Sequence, residues 1–270
     1  MMKYWREFLG TLAGLALIYP IVLYCGQQHL YLFPDKGYVS PADKGLPQFV
    51  EKPFKAADGL TIMGWYAKGD ADKPALLFFH GNSGQIALFA PSLKPYLNSG
   101  YSVYMSEYRG FGNTAGKFTQ ESLYGDAKAA FDFLHKTLGH DDIIVYGYSM
   151  GTAAASAAAA ERPARGLVLA APFYSLKKVA GEQNIPLATA ALKYELPSYR
   201  FVKTYKGPLL IIHGAEDTLI TPKHGKDLYE LSPSSDKTFT VIPKLSHNAL
   251  FFGDKAHPVV LGWLGQRERM

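Results

Sequence analysis

Short apolar strands alternating with helical stretches predict an α/β fold, a mostly parallel sheet with helices on both faces. Three observations carry that expectation. Apolar runs recur at residues 75–80, 101–106, 142–146, 166–171, 208–213 and 237–242. Helical stretches lie between or after them, at 85–98, 120–138, 152–160, 222–231 and 258–267. Before all of these, residues 49–55 and 60–67 read as two strands joined at Ala57-Asp58-Gly59, a tight hairpin turn that adds antiparallel strands at one edge.

The elements follow in order from local chemistry. In the 120–138 helix, Phe131, Leu134 and Leu138 share one face. The alanine-rich stretch 152–160 has a composition suited to close packing on a sheet. Residues 173–205 interrupt the alternation with Phe173, Tyr174, Tyr194, Tyr199 and Tyr205. This stretch lies where the C-terminal ends of the strands open, the edge at which such sheets bind ligands. It reads as a short cap, with an ordinary long crossover as the competing reading. The expected division is therefore 1–28, 29–48 as a Pro/Gly-rich connector, and 49–270 as one domain with its cap at 173–205.

Composition narrows the partners. With 270 residues, 48% of them hydrophobic, the chain can bury a sizeable core. Its net charge of +5 is spread along the sequence without an Arg/Lys-rich run, which argues against nucleic acid. Cys25 is the single cysteine, so no intramolecular disulfide and no Cys-based metal site can form.

Residues 8–25 carry no charge over 18 positions. As a helix they would span about 27 Å, near the thickness of a bilayer core. Lys3 and Arg6 precede them, which places the N-terminus in the cytoplasm and the globular part across the membrane. An uncleaved anchor is the expectation. A cleaved signal peptide, giving a secreted or periplasmic protein, and an interfacial or buried helix are the alternatives.

The chemistry centres on Gly147-Tyr148-Ser149-Met150-Gly151, between a strand and a helix. A sharp turn there forces Ser149 to positive φ and lifts its hydroxyl clear of the sheet, at the positive end of a helix. Glycines at 147 and 151 have a steric reason. The competing reading is a Gly-Ser turn that only links two elements. A serine hydroxyl needs a base, and the base an orienting acid. His247, in the short loop Lys244-Leu245-Ser246-His247-Asn248 just past the last strand, is the base of choice among eight histidines. Asp217, beyond the strand at 208–213, is the acid, with Glu216 as alternate. The oxyanion donors are the Met150 N–H and, from the loop His80-Gly81-Asn82-Ser83-Gly84, the Asn82 N–H, with Ser83 as runner-up. His80 is expected to buttress that loop.

These stretches, together with Tyr108-Arg-Gly-Phe-Gly112 and His213-Gly-Ala-Glu-Asp217, resemble the serine α/β-hydrolases. The chain looks most like the small membrane-anchored alpha/beta-hydrolase domain-containing proteins. The resemblance implies an eight-stranded sheet, a Ser149-Asp217-His247 triad, no cofactor and no metal, and it supports the N-terminal anchor. It also implies cleavage of an ester or thioester of a small acyl substrate; a lipid ester suits the anchor. Acyl transfer, peptidase activity and a non-catalytic membrane-tethered scaffold are the rival functions. Glu107 stands where relatives commonly carry Asp and is expected to be structural; Arg109 is left outside the site.

Overall fold

The computed structural model describes residues 4–5, 11, 18–22, 24–26, 29–183, 189 and 192–267. Its strands are β1 (Phe33–Pro34), β2 (Val50–Glu51), β3 (Phe54–Lys55), β4 (Thr61–Ile62), β5 (Gly64–Ala67), β6 (Ala75–Phe79), β7 (Ser83–Gly84), β8 (Ser102–Ser106), β9 (Ile143–Tyr148), β10 (Gly166–Ala170), β11 (Leu209–Gly214) and β12 (Lys237–Ile242). Eight of them form one sheet in the order β12-β11-β10-β9-β6-β8-β5-β2. Pairing is parallel from β12 through β8, and antiparallel where β5 joins β8 and β2 joins β5. The expected mostly parallel, eight-stranded architecture is therefore present. The hairpin is present too, split into β3–β4 and β2–β5 pairings around Gly59 at φ 83°.

The central strands alternate between two cores. In β6, Leu77 and Phe79 face one cluster while Leu76 and Phe78 face the other. Both faces are dry, so the strands read as unbroken apolar runs. One core is closed by α3 (Gln120–Lys136) and α4 (Gly151–Glu161), the other by α8 (His247–Phe252) and α9 (His257–Gly265). Cap segments are α5 (Leu176–Glu182) and α6 (Ser198–Val202), and α7 (Pro222–Leu231) lies between the last two strands.

Three expectations are corrected. The single helix over 85–98 is instead α1 (Ile86–Phe89), a 3-10 turn at Ala90–Leu93 and α2 (Lys94–Asn98). Pro91 and Pro95 each lack an N–H and break the regular ladder. The strand ending at Tyr146 continues to Tyr148, so it delivers Ser149 directly. Residues 29–48 are more than a connector: Leu32 and Leu46 are buried, and β1 pairs in parallel with β7. No helix among the described residues is long and apolar enough to cross a membrane. Most of the expected 8–25 span lies outside the described residues, which include only 11, 18–22, 24 and 25 of it.

Candidate active site

Chain order reverses between β6 and β9, which are neighbours in the sheet. Their C-terminal loops diverge there and leave a crevice, the usual ligand position in such sheets. The loop after β6 carries Asn82, and the turn after β9 carries Ser149. Asp217 follows β11 and His247 follows β12, all at the same sheet edge.

Ser149 has φ 51°, the left-handed conformation expected of a strand-to-helix apex. The turn is tight enough to exclude side chains on either flank. A Cβ on Gly147 would lie 2.5 Å from the Gly151 carbonyl oxygen, and one on Gly151 would lie 2.6 Å from that of His80. The Ser149 amide donates to the Ala170 carbonyl at 2.9 Å, tying the apex to the neighbouring strand.

The three expected polar side chains meet. Ser149 Oγ lies 2.9 Å from His247 Nε2, and His247 Nδ1 lies 2.7 Å from Asp217 Oδ2. All three residues are buried. Asp217 is an acceptor for the Nδ1 proton, which leaves Nε2 of the neutral ring to accept from the serine hydroxyl. His247 is the first residue of α8, not part of a loop. Glu216, the alternate acid, is exposed. Asp217 Oδ1 also accepts the amides of Leu219 and Ile220, at 3.1 and 2.9 Å. Burial opposes ionisation of Asp217. The His213 Nε2–H group 3.5 Å away, the hydrogen bond and attraction of His247, and the Ile220 amide outweigh it, holding the carboxyl well below the usual carboxylate range.

Around this chain, the sequence missed several supports. His213 is fully buried, donates from Nε2 to the Ile220 carbonyl at 2.8 Å and lies 3.5 Å from Asp217 Oδ2. Tyr148 stacks on Phe251 and its hydroxyl reaches Asn248 Oδ1 at 3.2 Å, beside His247. The only hint of either in the sequence was position: one ends a strand, the other precedes the serine. His80 behaves as expected of a buttress, with Nδ1 2.8 Å from the Gly81 carbonyl and Nε2 2.7 Å from Glu107 Oε1. Glu107 Oε2 accepts the Ile86 amide, so the acidic residue is built into the loop's foundation. Arg109 forks onto Asp126 and reaches Asp58, away from the serine.

Asn82 and Met150 both line the cavity over Ser149. The Asn82 carbonyl accepts the Phe33 amide at 2.9 Å, and its side-chain nitrogen donates to the Tyr31 carbonyl at 2.6 Å. Ser83 pairs with Phe33 in the β1–β7 ladder. The cavity measures about 510 Å³, in the range of small-ligand sites. Cap residues Leu176, Val179, Leu192 and Leu196 form one wall. No Asp, Glu, Lys or Arg among the described residues lines it.

This elbow, set on this sheet, defines an α/β-hydrolase. A family profile described as "Serine aminopeptidase, S33" matches residues 70–206 and 199–254, more than half of the chain, and the chain belongs to that α/β-hydrolase family. It is 36% identical to the alpha/beta hydrolase domain-containing protein aho-3 of Caenorhabditis elegans, over 64% of this chain and 52% of that one. It is 27% identical to an uncharacterized membrane protein of Saccharomyces cerevisiae over 96% of both chains. The esterase Pf2001 of Pyrococcus furiosus shares the fold, with a TM-score of 0.72 at 20% identity over 88% of this chain and 96% of that one.

Proposed function

We propose that the protein is a serine hydrolase that cleaves a carboxylic ester or thioester through an acyl-enzyme. Ser149 Oγ attacks the acyl carbonyl as its proton passes to His247 Nε2. Asp217 holds the imidazole in the tautomer that can accept that proton and stabilises the imidazolium. The Met150 and Asn82 N–H groups receive the oxyanion. The imidazolium then protonates the leaving alcohol or thiol. Water, giving a proton to the same imidazole, attacks the acyl-enzyme and frees the acid.

The hydrogen-bond chain from Ser149 through His247 to Asp217 carries this reading. The cavity favours an ester over the peptide that the family's description names. A free peptide amino terminus calls for a carboxylate partner, and no acidic residue lines the described cavity. Acyl transfer uses the same residues and differs only in the acceptor. The uncharged run 8–25, with Lys3 and Arg6 before it, supports a single-pass tether with the catalytic domain opposite the cytoplasm. The described membrane character of the yeast relative agrees with it.

The test is hydrolysis of a water-soluble p-nitrophenyl butyrate. Wild type should turn it over, and Ser149→Ala should reduce kcat to background. Turnover that survives the substitution would refute the assignment.

A further inference from the structure

The rim of the cavity draws on three distant stretches and is greasy. Leu30 and Phe33 come from the N-terminal strap, Leu219 from the loop after Asp217, and Phe252 from the end of α8. All four line the cavity yet are 60%, 54%, 54% and 43% exposed, respectively. Residues that both line a cavity and face outward stand at its mouth. Such an apolar patch at an opening marks a surface that meets something apolar.

The chain itself points to what that is. Cys25 ends the apolar 8–25 run, before Gly26-Gln27-Gln28-His29, and Leu30 stands at the mouth five positions later. Five residues reach no more than about 17 Å even when fully extended. Ile18, Ile21 and Val22, within the run, are themselves exposed. Whatever surface receives that run therefore lies within a short reach of the opening. The strap that links them is not slack against the domain. Leu32 is buried, the Phe33 amide is bonded to the Asn82 carbonyl, and the Asp35 amide is bonded to the Gly84 carbonyl at 2.9 Å. Seating the rim would thus fix the height of the Asn82 loop over that surface.

We infer that the mouth formed by Leu30, Phe33, Leu219 and Phe252 seats on a lipid bilayer, and that the substrate is a long-chain acyl ester drawn from it into the cavity. This rests on the serine-hydrolase reading above. The charge-free lining accepts the hydrocarbon chain, and the polar part of the ester remains at the Ser149 end. Burial of each added methylene should raise kcat/KM roughly fourfold until the cavity is full.

The experiment uses the full chain reconstituted in phosphatidylcholine vesicles. Two substrates are compared: p-nitrophenyl butyrate in the water, and a fluorogenic dodecanoyl ester dissolved in the bilayer. Phe33→Asp/Leu219→Asp should lower the ratio of bilayer-ester to water-ester turnover at least tenfold against wild type. Leu30→Ser/Phe33→Ser, which touches only exposed strap side chains, should lower it in the same direction. Fluorophosphonate labelling of each variant reports that its site is folded. An unchanged ratio in labelled variants would overturn the inference, as would rim-to-rim cross-linking of two copies in place of lipid contact. Absence of any labelling or turnover in wild type would instead remove the serine-hydrolase reading, and this inference with it.

Discussion

The amide of Glu216 donates to the carbonyl oxygen of Leu245 at 2.9 Å. This bond joins the loop that carries Asp217 to the one that leads into His247. It is seconded by the Ala215 amide on the Ile242 carbonyl and by the absence of a side chain at Gly214, where a Cβ would collide with Leu245. Asp217 and His247, 30 positions apart, are thus held in register by backbone contacts as well as by their own hydrogen bond.

Asp217 and Glu216 should therefore respond differently. Asp217→Asn keeps the shape but no longer enforces the tautomer that His247 needs. Its kcat should fall about 10³- to 10⁴-fold, by analogy with the serine-protease triad. Glu216→Gln, at an exposed position, should stay within about threefold of wild type, a small surface effect. Ester turnover by the two variants checks the pair; equal losses would contradict the assignment.

The elbow glycines were legible in the sequence because their reason is local. A Cβ on Gly151 would lie 2.5 Å from the Phe79 carbonyl carbon, at the C-terminal end of the central strand β6. Backbone there cannot yield without disturbing the sheet. Gly151→Ala should destabilise the fold by about 3 kcal/mol or more. Urea denaturation of any soluble variant measures it, and a loss below about 1 kcal/mol would be too small for such a clash.

The succession of strands and helices, the serine elbow and the positions of Asp217 and His247 past strand ends could be read from the chain because each rests on patterning within a few residues. The Asp217 choice over Glu216 followed the same logic of position past a strand end. What could not be read depends on contacts between distant segments. The strap at Leu30 to Pro34 looked like a connector, since nothing in its own sequence says that Phe33 will pair with Ser83. His213 looked like a strand end, because its neighbour Ile220 arrives only when the next loop folds back. The break of the 85–98 helix, by contrast, is local and is written in Pro91 and Pro95.

Arg109 should prove structural. Its guanidinium donates to both oxygens of the nearly buried Asp126, at 2.7 and 2.8 Å. Arg109→Met leaves that carboxylate without its partner and should cost about 3 kcal/mol. Ester turnover per folded molecule should remain within about threefold of wild type, because the guanidinium lies away from Ser149. Chemical denaturation and active-site titration separate the two effects; a selective loss of kcat would place Arg109 in the reaction instead.

His224 clips the cap to α7. Its Nδ1 accepts the Tyr174 amide at 3.2 Å and its Nε2 donates to Glu182 on α5 at 2.9 Å. Burial lowers its pKa below the ordinary histidine value, outweighing the hydrogen bond and attraction of Glu182, which raise it. The folded ring is thus harder to protonate than the unfolded one. Its contribution is complete above the unfolded value of about 6.5 and is lost as pH falls through the lower folded value. Between pH 7.5 and 5.5 the urea midpoint of wild type should drop more than that of His224→Gln. Parallel pH profiles would contradict it.

The proposal rests above all on Ser149 as the nucleophile, raised by its strained turn and activated by His247. Mass spectrometry of the protein after reaction with a fluorophosphonate tests it most directly. A single adduct is expected, on the peptide containing Ser149, and its rate of formation should collapse in His247→Ala. An adduct on a different serine, or a wild-type protein that forms none, would contradict it.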